Sequence, residues 1–196
     1  MSYLQTIDEE TADPVVSEIY ERDMERMGYV PNYTRIFSLH PDAYKAWQGL
    51  VGAISRQMDA RRYELATVGA AARLRSTYCS LAHGKVLAEK FFEPEEVRQI
   101  VQGTASSVLD GVDSLIVEFA AKVADDATTV SEEDIEGLRS AGLTDRDIFD
   151  LILAAAARSF FSKVLDATGT LADSVYIDLD SRLREALTVG RPIGSA

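Results

Sequence analysis

The chain has 196 residues, 46% of them hydrophobic and 27% charged. That is the balance of an ordinary globular protein with one well-filled core, and it excludes a disordered chain. The formal net charge of −12, with Lys and Arg scattered rather than clustered, excludes phosphate backbones and anionic lipid surfaces as partners, so neither nucleic acid nor membrane binding is expected.

The opening MSYLQTIDEETADP has no basic segment followed by an apolar one, so no secretory leader is expected. The longest apolar stretch, Leu151 to Ala157, is far too short to span a bilayer. One cysteine cannot close an intrachain disulfide, and a lone thiol without an export signal fits a reducing compartment. The expected location is therefore the cytoplasm.

Helix signals follow one another along the whole chain. Asp13-Pro14 pairs a capping carboxylate with proline at the first helical position, and Gly28 stops the helix that follows. A loop to Asn32 and a short segment from Tyr33 to Leu39 lead to Pro41. Pro41 opens a helix with Tyr44, Trp47, Leu50, Val51 and Ile54 on one face, and the preceding His40 closes a turn. Asp59 caps a helix over Ala60 to about Arg75, whose ATVGAAA centre predicts burial against close neighbours. Ser76 or Thr77 starts the next helix, which runs to about Lys90.

Glu93-Pro94 begins a helix that ends at Gly103, and residues 103–111 read as a turn-like connector. Val112 to Val123 is helical again. Ser131 through Asp134 resembles a capping box, with Asp in place of the usual Glu or Gln. Thr144 caps a long apolar helix to about Ala167, stopped at Gly169. A short helix near Arg182 and a loose GRPIGSA end complete the chain. The predicted fold class is all-α: one antiparallel helical domain over residues 1–196. It has two loosely similar halves, about residues 13–103 and 111–170, and a C-terminal tail. The halves are suggested by a faint repeat that matches Arg61 with Arg146, Ala70–Ala72 with Ala155–Ala157, and Arg73 with Arg158; a chance match between two Ala-rich helices is the alternative. In that alignment Glu64, Cys79 and His83 fall opposite Phe149, Val164 and Thr168, so the second copy lacks the polar set.

Cys79 and His83 are four residues apart, one turn on the same helical face. An imidazole there can take or share the thiol proton. If the helix starts at Ser76 or Thr77, Cys79 also lies in its first turn, where the dipole and unpaired N–H groups favour a thiolate. A lone Cys is also often a small buried hydrophobe, and a lone His a plain hydrogen-bonding residue, so spacing leaves both alternatives open. Two His and one Cys are too few for a His/Cys metal site, and no cofactor-binding motif is present, so neither a metal nor a cofactor is expected. The acidic clusters at Glu95-Glu96 and Glu132 to Asp134 sit at helix starts and read as solvated dipole partners.

The spacing Glu64-x11-Ser76-x2-Cys79-x3-His83 resembles the signature of the alkylhydroperoxidase D / carboxymuconolactone decarboxylase family, which usually has cysteine where Ser76 stands. Gly84 and the small-residue helix before Ser76 fit the same pattern. Pro31 to Tyr33, Leu39 to Pro41, the Arg158–Phe161 run and the Thr-Val-Gly-Arg-Pro segment near the end resemble its peroxidase-related branch. The resemblance implies an alkylhydroperoxidase D-like helical bundle and three site residues: Cys79 as the cysteine that meets peroxide, His83 in the proton relay, and Glu64 as its acidic member. Ser76 cannot join a disulfide, so it implies one-cysteine chemistry restored by an external thiol or protein reductant, with Ser76 as helix cap or donor to the sulfur. The implied activity is thiol-dependent peroxidase-like reduction of a small peroxide or small organic substrate. Cofactor-free decarboxylation and a non-enzymatic helical oligomer are the alternatives. The resemblance also implies a homo-oligomer, whether dimer, trimer or hexamer.

Overall fold

The structure is a computed structural model that describes residues 2–195. Among these described residues ten α-helices follow in chain order: α1 Pro14–Met27, α2 Asn32–Phe37, α3 Pro41–Ser55, α4 Ala60–Arg73, α5 Thr77–Lys90, α6 Pro94–Val101, α7 Gly111–Asp126, α8 Glu132–Ser140, α9 Asp145–Ala167 and α10 Ser181–Leu187. Among the described residues there is no strand, only an isolated bridge between Ala172 and Ile193. No described helix is long and apolar enough to cross a membrane.

Local chemistry accounts for the boundaries. The Asp13 carboxylate accepts from the N–H groups of Val15 and Val16, and Gly28 ends α1 in the left-handed region at φ 79°. His40 closes its turn as an N-cap: its Nδ1 accepts from Ala43 N at 3.3 Å. Asp59 caps α4, while Ser131 with Asp134 and Thr144 with Asp147 form true capping boxes. The Asp variant works because its carboxylate reaches back to the Ser131 N–H at 2.7 Å.

The small centre of α4 is buried as its composition requires: Leu65, Ala66, Val68, Ala70 and Ala71 are all fully enclosed. The helix is sandwiched among α5, α7 and α9. At Gly69 the backbone of α7 comes so near that an added Cβ would lie 2.7 Å from the Val117 carbonyl oxygen. Only a residue without a side chain permits that approach.

Two expectations need correction. The α4 helix stops at Arg73 instead of Arg75, because Arg75 adopts a left-handed φ of 56° and turns the chain sharply into α5. The chain end through Ser195 is also not loose; Ala196 lies outside the described residues. Gly190 N donates to Thr77 Oγ1 at 2.8 Å, Gly194 N donates to Ala172 O at 2.8 Å, and Arg191 lies over the Tyr3 ring. At Gly190 a Cβ would stand 2.0 Å from Arg75 O, so the glycine lets the tail press against the α4–α5 turn.

Candidate active site

The tight turn at Leu74–Ser76 makes α4 and α5 antiparallel neighbours, and this places Glu64 against His83. Glu64 Oε2 and His83 Nδ1 are 2.6 Å apart, both largely shielded from solvent. A carboxylate can only accept, so Nδ1 carries the proton and donates it, leaving Nε2 with its lone pair. Burial pushes the His83 pKa below its ordinary value, and the nearby Arg158 cation pushes the same way; Glu64 opposes both and is outweighed. The imidazole is therefore neutral near pH 7, held in one orientation by Glu64 and edge-on to the Tyr63 ring.

Cys79 lies in the first turn of α5, three residues after the N-cap Ser76. Its residue surface is 1% exposed, yet it lines a cavity of about 420 Å³ together with His83. The sulfur accepts from Ser162 Oγ at 3.2 Å and from Arg158 Nη1 at 3.6 Å. Both donors sit on α9, one turn apart, so a single helical face serves the thiol. No hydrogen bond joins the sulfur to His83 among the described residues. The two share the cavity instead.

Ser76 does not take either role expected of it. It occupies the N-cap position, but its hydroxyl makes no capping bond, and the sulfur's hydroxyl donor is Ser162. The Ser76 hydroxyl is instead buried near the Asp166 carboxylate of α9 without a hydrogen-bond partner.

Arg158 and Ser162 contact the sulfur, and sequence reasoning did not single them out as site residues. A signal was present: Arg158 interrupts the apolar run of α9, and a charge in the middle of such a run has a specific partner or ligand. Arg158 is 5% exposed, the titratable groups beside it include Cys79, Tyr63 and His83, and it forms no ion pair with a carboxylate among the described residues. Its guanidinium also lies over the Phe161 ring at 5.5 Å. Aromatic rings complete the wall: Trp47 stacks on Phe161 with centroids 4.2 Å apart, and Tyr33 meets Phe161 edge-on. Beneath them Tyr78 donates to Asp173, whose other oxygen accepts from Asn32 N at 2.8 Å, tying α2 to α5.

No family model matches the sequence, and no curated protein matches it either. Solved structures do match its fold. An alkylhydroperoxidase AhpD core structure, an uncharacterised peroxidase-related protein from Ralstonia eutropha JMP134, is 20% identical with a TM-score of 0.79, covering 97% of this chain and 98% of that one. An uncharacterised peroxidase-related protein from Silicibacter sp. TM1040 is 24% identical with a TM-score of 0.77, covering 88% of this chain and 94% of that one. The debrominase Bmp8, solved with 2,3,4-tribromopyrrole, is 13% identical with a TM-score of 0.70, covering 93% and 94%.

Proposed function

We propose that this chain, which has the all-helical alkylhydroperoxidase D-like fold, is a thiol-dependent peroxidase-like oxidoreductase acting through Cys79. The observation that carries this reading is the sulfur's setting. The one cysteine of the chain is next to a buried guanidinium that forms no ion pair with a carboxylate among the described residues, in a cavity shared with a His83 that Glu64 holds as a neutral base. The guanidinium and the first turn of α5 both set N–H donors and positive charge beside the sulfur.

The chemistry balances as follows. The Cys79 proton passes across the cavity to His83 Nε2. The thiolate attacks the terminal oxygen of a hydroperoxide; the S–O bond forms as the O–O bond breaks, and the leaving alkoxide takes the proton from His83. Sulfur is oxidised by two electrons to the sulfenic acid and the peroxide is reduced to an alcohol. One external thiol then displaces water from the sulfenic acid to give a mixed disulfide. A second thiol releases an external disulfide and restores Cys79. With serine at position 76, no intrachain disulfide can replace these steps.

The test is hydroperoxide consumption with dithiothreitol as reductant. Turnover by the unmodified chain, abolished in Cys79→Ala, and a single turnover when the reductant is withheld are expected. Equal consumption by the Cys79→Ala variant would sink the reading.

A second reading, reductive dehalogenation, rests on one observation: the cavity wall is aromatic and flat, and the fold neighbour solved with a bromopyrrole is a debrominase. There two external thiols would supply the electrons, an aryl bromide would become the arene, and bromide would be released. Bromide release from a bromopyrrole by this chain, measured against Cys79→Ala, separates the two.

A further inference from the structure

The lining of the Cys79 cavity is opposite in sign to the molecule around it. The chain carries a formal charge of −12. Yet the charged or basic residues lining this cavity are Arg26, Arg158 and His83, and no Asp or Glu lines it. Burial raises the pKa of Tyr33, Tyr63 and Tyr78, so the phenols of the wall stay neutral and add no negative charge.

The two arginines differ. Arg26 lies toward solvent and already meets Asp23 at 3.3 Å. Arg158 is buried and forms no ion pair with a carboxylate among the described residues. Its Nη1 is spent on the Cys79 sulfur, while its Nε is buried without a hydrogen-bond partner. Trp47, on the same wall, has its Nε1 in the same condition. Both orphans are donors. Buried donors without acceptors are costly, and a guanidinium offers five of them in a rigid fork. A ligand that brings acceptors and negative charge into the cavity can meet the guanidinium N–H groups that are not spent on the sulfur.

The shape adds a second restriction. Trp47 and Phe161 are 17° from parallel, and Phe37 lies against Phe161 at 7°. Stacked rings present flat faces and edges that suit another flat ring. A volume of about 420 Å³ is in the range of organic ligands and far exceeds what hydrogen peroxide fills.

We propose that this cavity binds a planar aromatic or conjugated organic anion, a carboxylate in the simplest case, its ring along the Trp47–Phe161 wall and its anionic group toward Arg158. This rests on the same cavity being the site of Cys79 chemistry, and it names the organic group delivered there.

The test is calorimetric titration of the full chain with trans-cinnamate and with cinnamyl alcohol, which keeps the planar frame and removes the charge. Trp47 is the only tryptophan, so its fluorescence reports independently on occupancy of the wall. Cinnamate should bind at least about tenfold more tightly than the alcohol, as a charge-assisted hydrogen bond predicts. Both ligands should change the Trp47 emission. In Arg158→Met the acid should fall to the affinity of the alcohol, and Arg158→Lys should restore part of the difference. Equal or tighter binding of the alcohol by the unmodified chain overturns the proposal, as does absence of binding of either ligand at millimolar concentration. That comparison needs no variant, so it decides even if Arg158→Met does not fold. Neither ligand is a peroxide and nothing turns over. Loss of peroxide reduction with binding intact therefore fails only the peroxidase reading, and loss of binding with peroxide reduction intact fails only this one.

Discussion

His83 is the residue whose chemistry depends most on its surroundings. Burial and Arg158 depress its pKa, so the limb of activity lost on acidification should lie below pH ~6.5, the value of an unperturbed imidazole. Replacing Glu64 by Gln removes the group that opposes this depression. The limb should then move further toward acid, while the rate falls because the ring is no longer oriented. His83→Ala should slow oxidation of Cys79 by about 10²- to 10⁴-fold, the usual worth of a positioned acid–base group. The same shift acts on stability. The unfolded His83 binds its proton first, so stability should decline as pH falls from about 6.5 through the folded value. In His83→Gln that part of the decline should vanish, as urea midpoints across the pH range would show. Spacing made Cys79 and His83 visible in the sequence as one helical face, and resemblance added Glu64. Arg158 and Ser162 lay beyond that reach, since both are about 80 residues from Cys79 in the chain and only the packing of α9 on α5 brings them to the sulfur.

At the scale of elements, α4 sets the geometry, because it is packed on three sides and carries Glu64. Gly69→Ala would push a methyl against the Val117 carbonyl and should cost about 1–3 kcal/mol by overpacking. The urea midpoint should drop with the slope unchanged. Asp59→Ala removes the cap of the same helix and should cost about 1 kcal/mol. Helix starts were legible because Asp13, Asp59, Ser131 and Thr144 announce themselves with side-chain oxygens. The end of α4 and the course of the tail were not. Arg75 carries no sequence mark of a left-handed residue. Gly190 reads as a flexible end until its contact with the distant α4–α5 turn is seen.

For the whole molecule, α9 turns the apolar residues Phe149, Ala156 and Phe160 to solvent, with the partly buried Leu153 between them, at alternating spacings of four and three. Leu50 of α3 is also half exposed. A stripe of this kind suits pairing of like chains. We propose that it supports the expected homo-oligomer. Because each chain carries −12, added salt should screen the repulsion and strengthen association. Sedimentation should show a species larger than 21.5 kDa that Phe149→Glu dissociates; a salt-independent monomer would contradict this.

The most direct measurement is the rate at which Cys79 becomes a sulfenic acid on mixing with stoichiometric cumene hydroperoxide, trapped with dimedone and located by mass spectrometry. The setting of Arg158, Ser162, His83 and Glu64 predicts rapid, stoichiometric labelling of Cys79, far faster than that of an unstructured cysteine peptide and strongly slowed in His83→Ala. Labelling no faster than the peptide's, or unchanged in that variant, would contradict an activated thiol at this site.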